Sequence, residues 1–251
     1  MRLQDKVVII TGGTEGIGLA AAEIFVQEGA KVTLAARNEE RGQEVADRLS
    51  APGRRVHFLK TDVANAGNVR TLMEATFEEH GRLDVLYNNA AVFWPAEDAQ
   101  ITELDEELWD RVIAINLTGT FLCTKYAVPA MQRSGGGSII STSSTGGILG
   151  LGNTAYGAAK AGVVSLMKNV ATQYGKDGIR ANTIVPGVTE TPMVEALFAD
   201  PELRRQWIDA TPVGRFGRPA DVAMLALFLA SDESAYVSGA EYLVDGGFSA
   251  K

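Results

Sequence analysis

The chain has 251 residues, of which 46% are hydrophobic and 22% are charged, values typical of a folded globular protein. Its net charge of −8 argues against a nucleic-acid-binding surface. The single cysteine, Cys123, excludes an intrachain disulfide and a cysteine metal cluster, and two histidines are too few for a histidine-rich zinc site, so we predict no metal site.

Strand-like apolar runs alternate with helical patterns along the chain. In chain order, strands are predicted at 7–10, 31–36, 56–59, 83–87, 138–142 and 179–185. Helices are predicted at 16–27, 39–49, 68–80, 108–133 and 155–174. This alternation predicts an α/β protein in which helices cover both faces of a parallel sheet, within one domain.

Two later stretches depart from the alternation. Residues from about 189 to 211 combine prolines with scattered large apolar residues, as expected of an insertion that covers a substrate pocket. The run from 222 to 230 is apolar on every side, so we expect it to be buried in the core or against a partner. That run is too short to span a bilayer, and no signal-peptide-like stretch opens the sequence. We therefore expect a soluble, cytoplasmic protein without membrane contact.

A glycine-rich segment follows the first strand and opens the first helix. Glycines there allow a tight turn and close approach of a pyrophosphate, while the helix N-terminus offers free N–H groups and a positive dipole end. The spacing Gly-x-x-x-Gly-x-Gly differs from the more familiar Gly-x-Gly-x-x-Gly, but the strand–turn–helix context is the one that the binding mechanism requires. We predict a cofactor site that includes Gly12, Thr14, Glu15, Gly16, Ile17 and Gly18.

Tyr156 and Lys160 are four residues apart on one predicted helix, so the lysine ammonium can lie beside the phenol. A free tyrosine titrates near ~10, and a positive charge about 4 Å away can lower that pKa by about three units. The pair can then act as a general base on an alcohol or a general acid on a ketone. Ser143 lies thirteen positions before the tyrosine, and only this spacing distinguishes it from Ser141 and Ser144.

These motifs together resemble the short-chain dehydrogenase/reductase family, over essentially the whole chain. The residues that carry the resemblance are the glycine segment, Asn88-Asn89-Ala90, Asn116, Ser143, Tyr156, Lys160 and Pro186-Gly187. The resemblance implies a single doubly wound NAD(P)-binding Rossmann-type domain over residues 1–251, with a seven-stranded parallel sheet. It also implies an oxidoreductase that transfers a hydride between NAD(P) and a small-molecule ketone or secondary alcohol.

The resemblance assigns roles to four catalytic residues. Tyr156 is expected to be the general acid/base, and Ser143 to hydrogen-bond the substrate oxygen. Lys160 is expected to lower the tyrosine pKa and to hold the nicotinamide ribose. Asn116 is expected to contribute to a proton relay through water.

Further cofactor contacts are implied along the same edge of the sheet. Residues 62–63 resemble an adenine contact, 89–91 an adenosine-ribose contact, and 186–191 the segment that packs on the nicotinamide carboxamide. Ala91 stands where the family pattern has glycine, which adds one methyl group near the cofactor. The residues concerned, besides Tyr156 and Lys160, are Asp62, Val63, Asn89, Ala90, Ala91, Pro186, Gly187, Val188 and Thr191.

The choice between NADP and NAD depends on the end of the second strand. An acidic residue there would bind the ribose 2′-hydroxyl and repel a 2′-phosphate, but the chain has Ala36 followed by Arg37. The arginine fork suits a phosphate, which favours NADP. Glu15 could repel the same phosphate, so NAD remains an alternative.

Candidate substrate contacts are apolar, which predicts a pocket for a neutral ketone or alcohol. They are Val92, Phe93, Trp94, residues 145–151, Met193, Leu197, Phe198 and Trp207. Small residues on the helix after Tyr156 allow close helix approach, and we expect a homotetramer, with a dimer as the alternative. A catalytically silent dinucleotide-binding sensor or scaffold is the alternative function. A dehalogenase is disfavoured because Lys160 stands where an arginine would be expected.

Overall fold

Seven parallel strands form one sheet in the computed structural model, which describes residues 1–51, 56–196 and 198–250. The strands are β1 Val7–Thr11, β2 Lys31–Ala36, β3 His57–Lys60, β4 Val85–Asn88, β5 Gly137–Thr142, β6 Ile179–Pro186 and β7 Glu241–Val244. Across the sheet their order is β3-β2-β1-β4-β5-β6-β7, and every neighbouring pair is parallel. The predicted seven-stranded, doubly wound Rossmann-type fold is confirmed.

Helices cover both faces of this sheet. They are α1 Gly16–Gln27, α2 Glu39–Leu49, α3 Ala66–His80, α4 Glu106–Ile113, α5 Gly119–Ser134, α6 Thr154–Tyr174, α7 Pro192–Glu195, α8 Pro201–Asp209 and α9 Pro219–Ala230. The predicted bounds of α1, β2 and α2 match the structure, and the outer bounds of the other predicted elements differ by at most two residues. The stretch predicted as an insertion contains the two short helices α7 and α8.

The prediction of one uninterrupted helix over 108–133 was wrong. A π-helical turn, Ala114–Thr118, separates α4 from α5. Such a turn has one extra residue in the helical ladder and is frequent at functional sites. Asn116 lies at this turn and is fully buried.

The core consists of two layers because side chains alternate along β1. Val8 and Ile10 pack with residues of α1 and α9, whereas Val7 and Ile9 pack with residues of α3 and α5. All four side chains have no solvent exposure. The apolar run in α9 is part of the first layer, as predicted, although Met224 remains 51% exposed.

The strand order reverses between β1 and β4, where the chain crosses from one half of the sheet to the other. In open parallel sheets, ligands bind in the crevice at the carboxyl ends of the strands at such a switch point. Within the described ranges, no helix combines the length and apolar character needed to cross a bilayer.

Candidate active site

A cleft of about 410 Å³ opens at the carboxyl ends of the strands. It is within the range of sizes typical of small-molecule sites. Most of the residues predicted to bind cofactor or substrate line this cleft. Gly18, Asn116, Trp94 and residues 147–150 are predicted contacts that do not line it. The structure therefore brings together residues from position 12 to position 191.

The glycine segment lies against the residues that follow β4. Gly12 has a φ of +63°, and a Cβ there would come within 2.9 Å of the Ala90 Cα. A Cβ at Gly18 would come within 2.1 Å of the Gly12 carbonyl oxygen, which explains why Gly18 is needed although it does not line the cleft. The side-chain amide of Asn89 donates to the same carbonyl, at 3.2 Å. These contacts leave the bare backbone of the turn at the surface of the cleft.

The cleft edge near β2 carries the residues that would distinguish the two nicotinamide cofactors. Ala36 and Arg37 line the cleft together with Glu15 and Asp62. Arg37 is exposed, and among the described residues it has no ion-pair partner. Its guanidinium is therefore available to an anion at this edge.

Lys160 is 3% exposed, and its ammonium donates to the backbone carbonyl of Thr142 at 2.8 Å. Burial lowers its pKa to about 8. The Nζ atom lies 5.7 Å from the centre of the Tyr156 ring, over the ring face. The lysine and tyrosine are adjacent, as predicted from their spacing.

Tyr156 lines the cleft but differs electrostatically from the sequence-based prediction. Burial raises the pKa of its phenol, because burial disfavours the charged phenolate, while a hydrogen bond with the Ser144 hydroxyl lowers that pKa to a smaller extent. The expectation that Lys160 brings the phenol pKa below its ordinary range is not met in this structure. The ammonium is directed to a backbone carbonyl instead, and the phenol is the proton-bearing form at neutral pH.

The two consecutive serines face different neighbours. The Ser143 hydroxyl donates to the Lys160 backbone carbonyl at 2.8 Å, and the residue is 2% exposed. Ser144 is extended, with φ −166° and ψ 155°, and its hydroxyl accepts from the Gly146 backbone N–H at 3.1 Å while also interacting with the Tyr156 phenol. Successive side chains of an extended segment point to opposite sides. Ser144 is therefore placed beside the Tyr156 phenol, and the substrate contact predicted for Ser143 stays a prediction.

Asn116 holds the segment that follows β4. Its side-chain oxygen accepts from the Val92 backbone N–H at 2.8 Å, and its side-chain nitrogen donates to the Val92 carbonyl at 2.9 Å. These two hydrogen bonds fix the backbone of Val92, which lines the cleft, so Asn116 is a positioning residue in this structure. Its contribution to a proton relay stays a prediction.

Asp98 is a candidate positioning residue that the sequence did not indicate. It is 5% exposed, and its two carboxylate oxygens accept from the backbone N–H groups of Ala155 and Tyr156, both at 2.9 Å. The neighbouring Ala99 carbonyl accepts from the Thr154 hydroxyl at 2.9 Å. The loop after β4 thus caps α6 at the turn that carries the tyrosine.

Aromatic and aliphatic side chains form the part of the cleft beyond Tyr156. The Phe93 ring centre lies 4.7 Å from that of Tyr156, and Phe198 and Trp207 belong to an aromatic cluster with Phe216 and Phe248. Leu151, Met193 and Val194 also line this part. Of the other predicted substrate contacts, Trp94 packs outside the cleft under Arg111, and Leu197 lies outside the described residues.

The segment 189–211, which covers the cleft, also contacts the glycine-rich segment. Thr191, which precedes α7, lies so close to Gly16 that a Cβ on that glycine would come within 3.1 Å of the Thr191 Cγ2 atom. The cleft is therefore bounded on one side by the segment at 189–211 and on the other by β4, β5 and α6.

Comparison with known proteins agrees with this geometry. A family model described as enoyl-(acyl carrier protein) reductase matches residues 12–249. The chain is 40% identical over 247 residues to cis-4-hydroxycyclohexanecarboxylate dehydrogenase of Sinomonas cyclohexanicum, covering 98% of this chain and 97% of that protein. It is 37% identical over 246 residues to the 3-oxoacyl-[acyl-carrier-protein] reductase FabG of Chlamydia pneumoniae, with coverage of 98% and 97%.

A solved structure shares the same fold over nearly the full length. It is described as a short-chain type dehydrogenase/reductase from Mycobacterium ulcerans, and it superposes with a TM-score of 0.94 at 33% identity. The match covers 99% of this chain and 91% of that one.

Proposed function

We propose a reaction for this chain, which belongs to the short-chain dehydrogenase/reductase family and is an oxidoreductase acting on CH–OH groups. The chain transfers a hydride between NADP(H) and a ketone or secondary alcohol, with Tyr156 as the general acid/base. The observation that carries the proposal is the contact between the Ser144 hydroxyl and the Tyr156 phenol at the cleft wall, beside the buried ammonium of Lys160.

The cleft residues fit a dinucleotide cofactor, which members of this family use. The turn at Gly12 has no room for a side chain, so its backbone can approach a pyrophosphate, and α1 begins directly after it. The remaining assignments follow the family pattern: residues 62–63 for adenine, 89–91 for its ribose, Lys160 for the nicotinamide ribose, and 186–188 with Thr191 for the carboxamide. The bound nicotinamide supplies or accepts the hydride.

Residues of the chain itself donate the proton to the substrate oxygen and stabilise the negative charge that develops on it. In the reductive direction, the protonated Tyr156 phenol donates its proton to the carbonyl oxygen as negative charge develops there. The Ser144 hydroxyl donates a hydrogen bond to the same oxygen and stabilises that charge. The Lys160 ammonium stabilises the phenolate that remains. A raised phenol pKa keeps the acid form, which ketone reduction requires, present at neutral pH.

Arg37 is the residue that favours NADPH over NADH. It is exposed at the end of β2, within the cleft lining, where the preceding residue is alanine rather than a carboxylate. A guanidinium pairs well with a phosphate dianion, whereas a carboxylate at that position would repel it. Glu15 lies in the same lining and opposes this preference.

A parallel fluorescence titration with NADPH and NADH tests the cofactor assignment, with Arg37→Ala and the matched control Arg41→Ala. Arg41 is on α2 and pairs with Glu44 outside the cleft lining. Loss of a charged hydrogen bond of about 1.5–3 kcal/mol should weaken NADPH binding by roughly 10- to 100-fold in Arg37→Ala only, leaving NADH affinity unchanged. Equal weakening of both cofactors would contradict the assignment.

A ketone and secondary-alcohol panel with the preferred cofactor tests the reaction itself. Turnover that disappears in Tyr156→Phe supports the proposed acid/base. Cofactor binding without any turnover would overturn the proposal and favour a dinucleotide-binding sensor or scaffold.

The assembly and location are further proposals. Ala158, Ala161 and Ser165 lie exposed along α6, where small side chains allow a second helix to approach closely. We therefore propose a homotetramer, with a dimer as the alternative, of a cytoplasmic single-domain protein. Light scattering on the purified protein distinguishes these states, and a monomer would contradict both.

A further inference from the structure

The substrate side of the cleft has rigid, flat walls. Phe93 stands beside Tyr156, and Phe198 and Trp207 are fixed by contacts within their aromatic cluster. Preformed aromatic walls bind a compact rigid ring at a lower entropic cost than a flexible chain, because the chain loses more rotational freedom. The shape of this region therefore favours a cyclic substrate.

Positive charge is scarce around the substrate. Within the described lining of the cleft, Arg37 and Lys160 are the only cationic residues. Arg37 lies at the end of β2, and the Lys160 ammonium already donates to Thr142. A substrate carboxylate or phosphate bound beside the aromatic walls would find no free cation in the described lining, and an unpaired buried charge is costly.

The segment that covers the cleft is acidic. Between residues 189 and 211 the sequence has five carboxylates and two arginines. Both arginines are paired within the segment, Arg204 with Glu190 and Arg205 with Glu202. Such a surface repels the phosphodiester of a phosphopantetheine thioester, so it disfavours an acyl-carrier-linked substrate.

A polar residue at the start of α6 lines the same cleft. Asn153 precedes α6 as its N-cap residue and makes no side-chain capping hydrogen bond. It lies three positions before Tyr156, and both residues line the cleft. Its amide can therefore hydrogen-bond a second oxygen on a ring whose carbonyl is held by Tyr156.

We infer that the substrate is an uncharged six-membered-ring ketone, or the corresponding secondary alcohol, that carries a second oxygen recognised by Asn153. This inference rests on the proposed function and specifies its substrate class. The relative from Sinomonas cyclohexanicum acts on a carboxylated cyclohexane ring, according to its name. The ring is the shared feature. Arg204 lies against the Phe216 ring but is paired with Glu190 and is not in the described cleft lining, so no unpaired cation near the aromatic walls favours the carboxylate here.

A substrate panel with the holoenzyme tests ring and charge separately. The ketones are 1,4-cyclohexanedione, cyclohexanone, open-chain 2-hexanone, 4-oxocyclohexanecarboxylate, its neutral methyl ester, and acetoacetyl-coenzyme A. We expect kcat/KM for the dione to exceed that for 2-hexanone by about tenfold or more, and the neutral ester to exceed the carboxylate by a similar factor. In Asn153→Leu, the preference for the dione over cyclohexanone should fall to about one.

Two variants at Met193 test the charge argument, one that introduces a positive charge and a neutral one that serves as its control. Met193 is on α7, lines the cleft and is 41% exposed, so it tolerates a polar replacement. Met193→Arg should raise the ratio of carboxylate to ester kcat/KM by about tenfold, whereas the neutral Met193→Gln should leave that ratio unchanged.

The outcomes separate this inference from the proposed function. Turnover that favours 2-hexanone, the carboxylate or acetoacetyl-coenzyme A overturns the inference and leaves the proposed function intact. An unchanged dione preference in Asn153→Leu overturns the role of that residue. Absence of turnover with every ketone and with the matching alcohols overturns the proposed function and this inference together.

Discussion

The carboxylate of Asp98 holds the backbone of Tyr156, although the two residues lie 58 positions apart in the chain. The same carboxylate also accepts from the N–H of Ala155, so both oxygens bind the first turn of α6. The position of the phenol therefore depends on the loop that follows β4, which also carries Phe93. A helix cap here acts as part of the active site.

Asp98→Asn should impair catalysis more than cofactor binding. The amide retains one accepting oxygen but presents an NH₂ group to the second backbone N–H, which leaves a buried donor unpaired at a cost of about 1–3 kcal/mol. We expect kcat to fall about tenfold while the cofactor Kd changes less than about twofold, because small misplacement of a reacting group is costly. Asp105→Asn is the control, since Asp105 caps α4 through the N–H groups of Glu107 and Leu108. Equal losses of kcat in both variants would show a general stability effect instead.

The two serine variants should separate catalysis from folding. Ser144→Ala removes the hydroxyl beside the phenol and should lower kcat by about a hundredfold or more. Ser143→Ala removes a buried bond to the Lys160 carbonyl and should cost about 1 kcal/mol of unfolding free energy with kcat within about threefold of wild type. Steady-state kinetics and urea denaturation measure both effects. The reverse pattern would restore Ser143 as the substrate-contacting serine.

The two reaction directions should depend on pH in opposite ways. Because the pKa of Tyr156 is raised by burial, the protonated acid persists through the neutral range and ketone reduction should be nearly constant between about pH 6 and 9. Alcohol oxidation needs the phenolate, so its kcat should rise throughout that range. Tyr156→Phe should abolish both activities and leave NADPH affinity within about twofold of wild type. Oxidation that is already independent of pH at neutrality would show that the phenol pKa is low.

Lys160→Met should stabilise the cofactor-free fold while abolishing turnover. Burial lowers the Lys160 pKa from an ordinary 10.5 to about 8, so the charged side chain costs up to about 3 kcal/mol of folding free energy below pH 8. That cost fades as pH rises from 8 towards 10.5, where the lysine is neutral in both folded and unfolded states. The stability advantage of the methionine variant should therefore be largest below pH 8 and shrink above it, offset in part by the lost bond to Thr142. Urea unfolding at a series of pH values measures this difference, and an advantage that grows with pH would contradict it.

The fold could be predicted from the sequence because its signals are local. The spacing of apolar residues in β2, α1 and α2 predicts where these elements begin and end, and the spacing of the glycines predicts the turn at the cleft. The π-helical turn at Ala114–Thr118 could not be predicted, since the helical pattern continues through it and the buried pairing of Asn116 with Val92 appears only in the tertiary structure. Asp98 was missed for a similar reason, because its partners are backbone N–H groups distant in sequence.

The two neighbouring serines show what a spacing rule leaves open. Counting thirteen residues back from Tyr156 selects Ser143, but the direction of each side chain depends on the alternation of the extended segment after β5. Only the tertiary structure shows that Ser143 points to the Lys160 carbonyl and Ser144 to the phenol. The family pattern predicts Tyr156 and Lys160 as the catalytic pair, whereas the pKa shifts of the two side chains depend on the burial that the fold imposes.

The division of the cleft into two walls has a consequence for how new specificities arise in this scaffold. The proposed acid/base residues lie on α6 and directly after β5, whereas many apolar residues of the cleft belong to one continuous stretch, 189–211. That stretch meets the glycine turn at Thr191 and Gly16. Recombination between homologues at the two ends of that stretch would replace the substrate-recognising surface in a single exchange. The acid/base machinery would be inherited unchanged, so selectivity and chemistry can diverge independently along this chain.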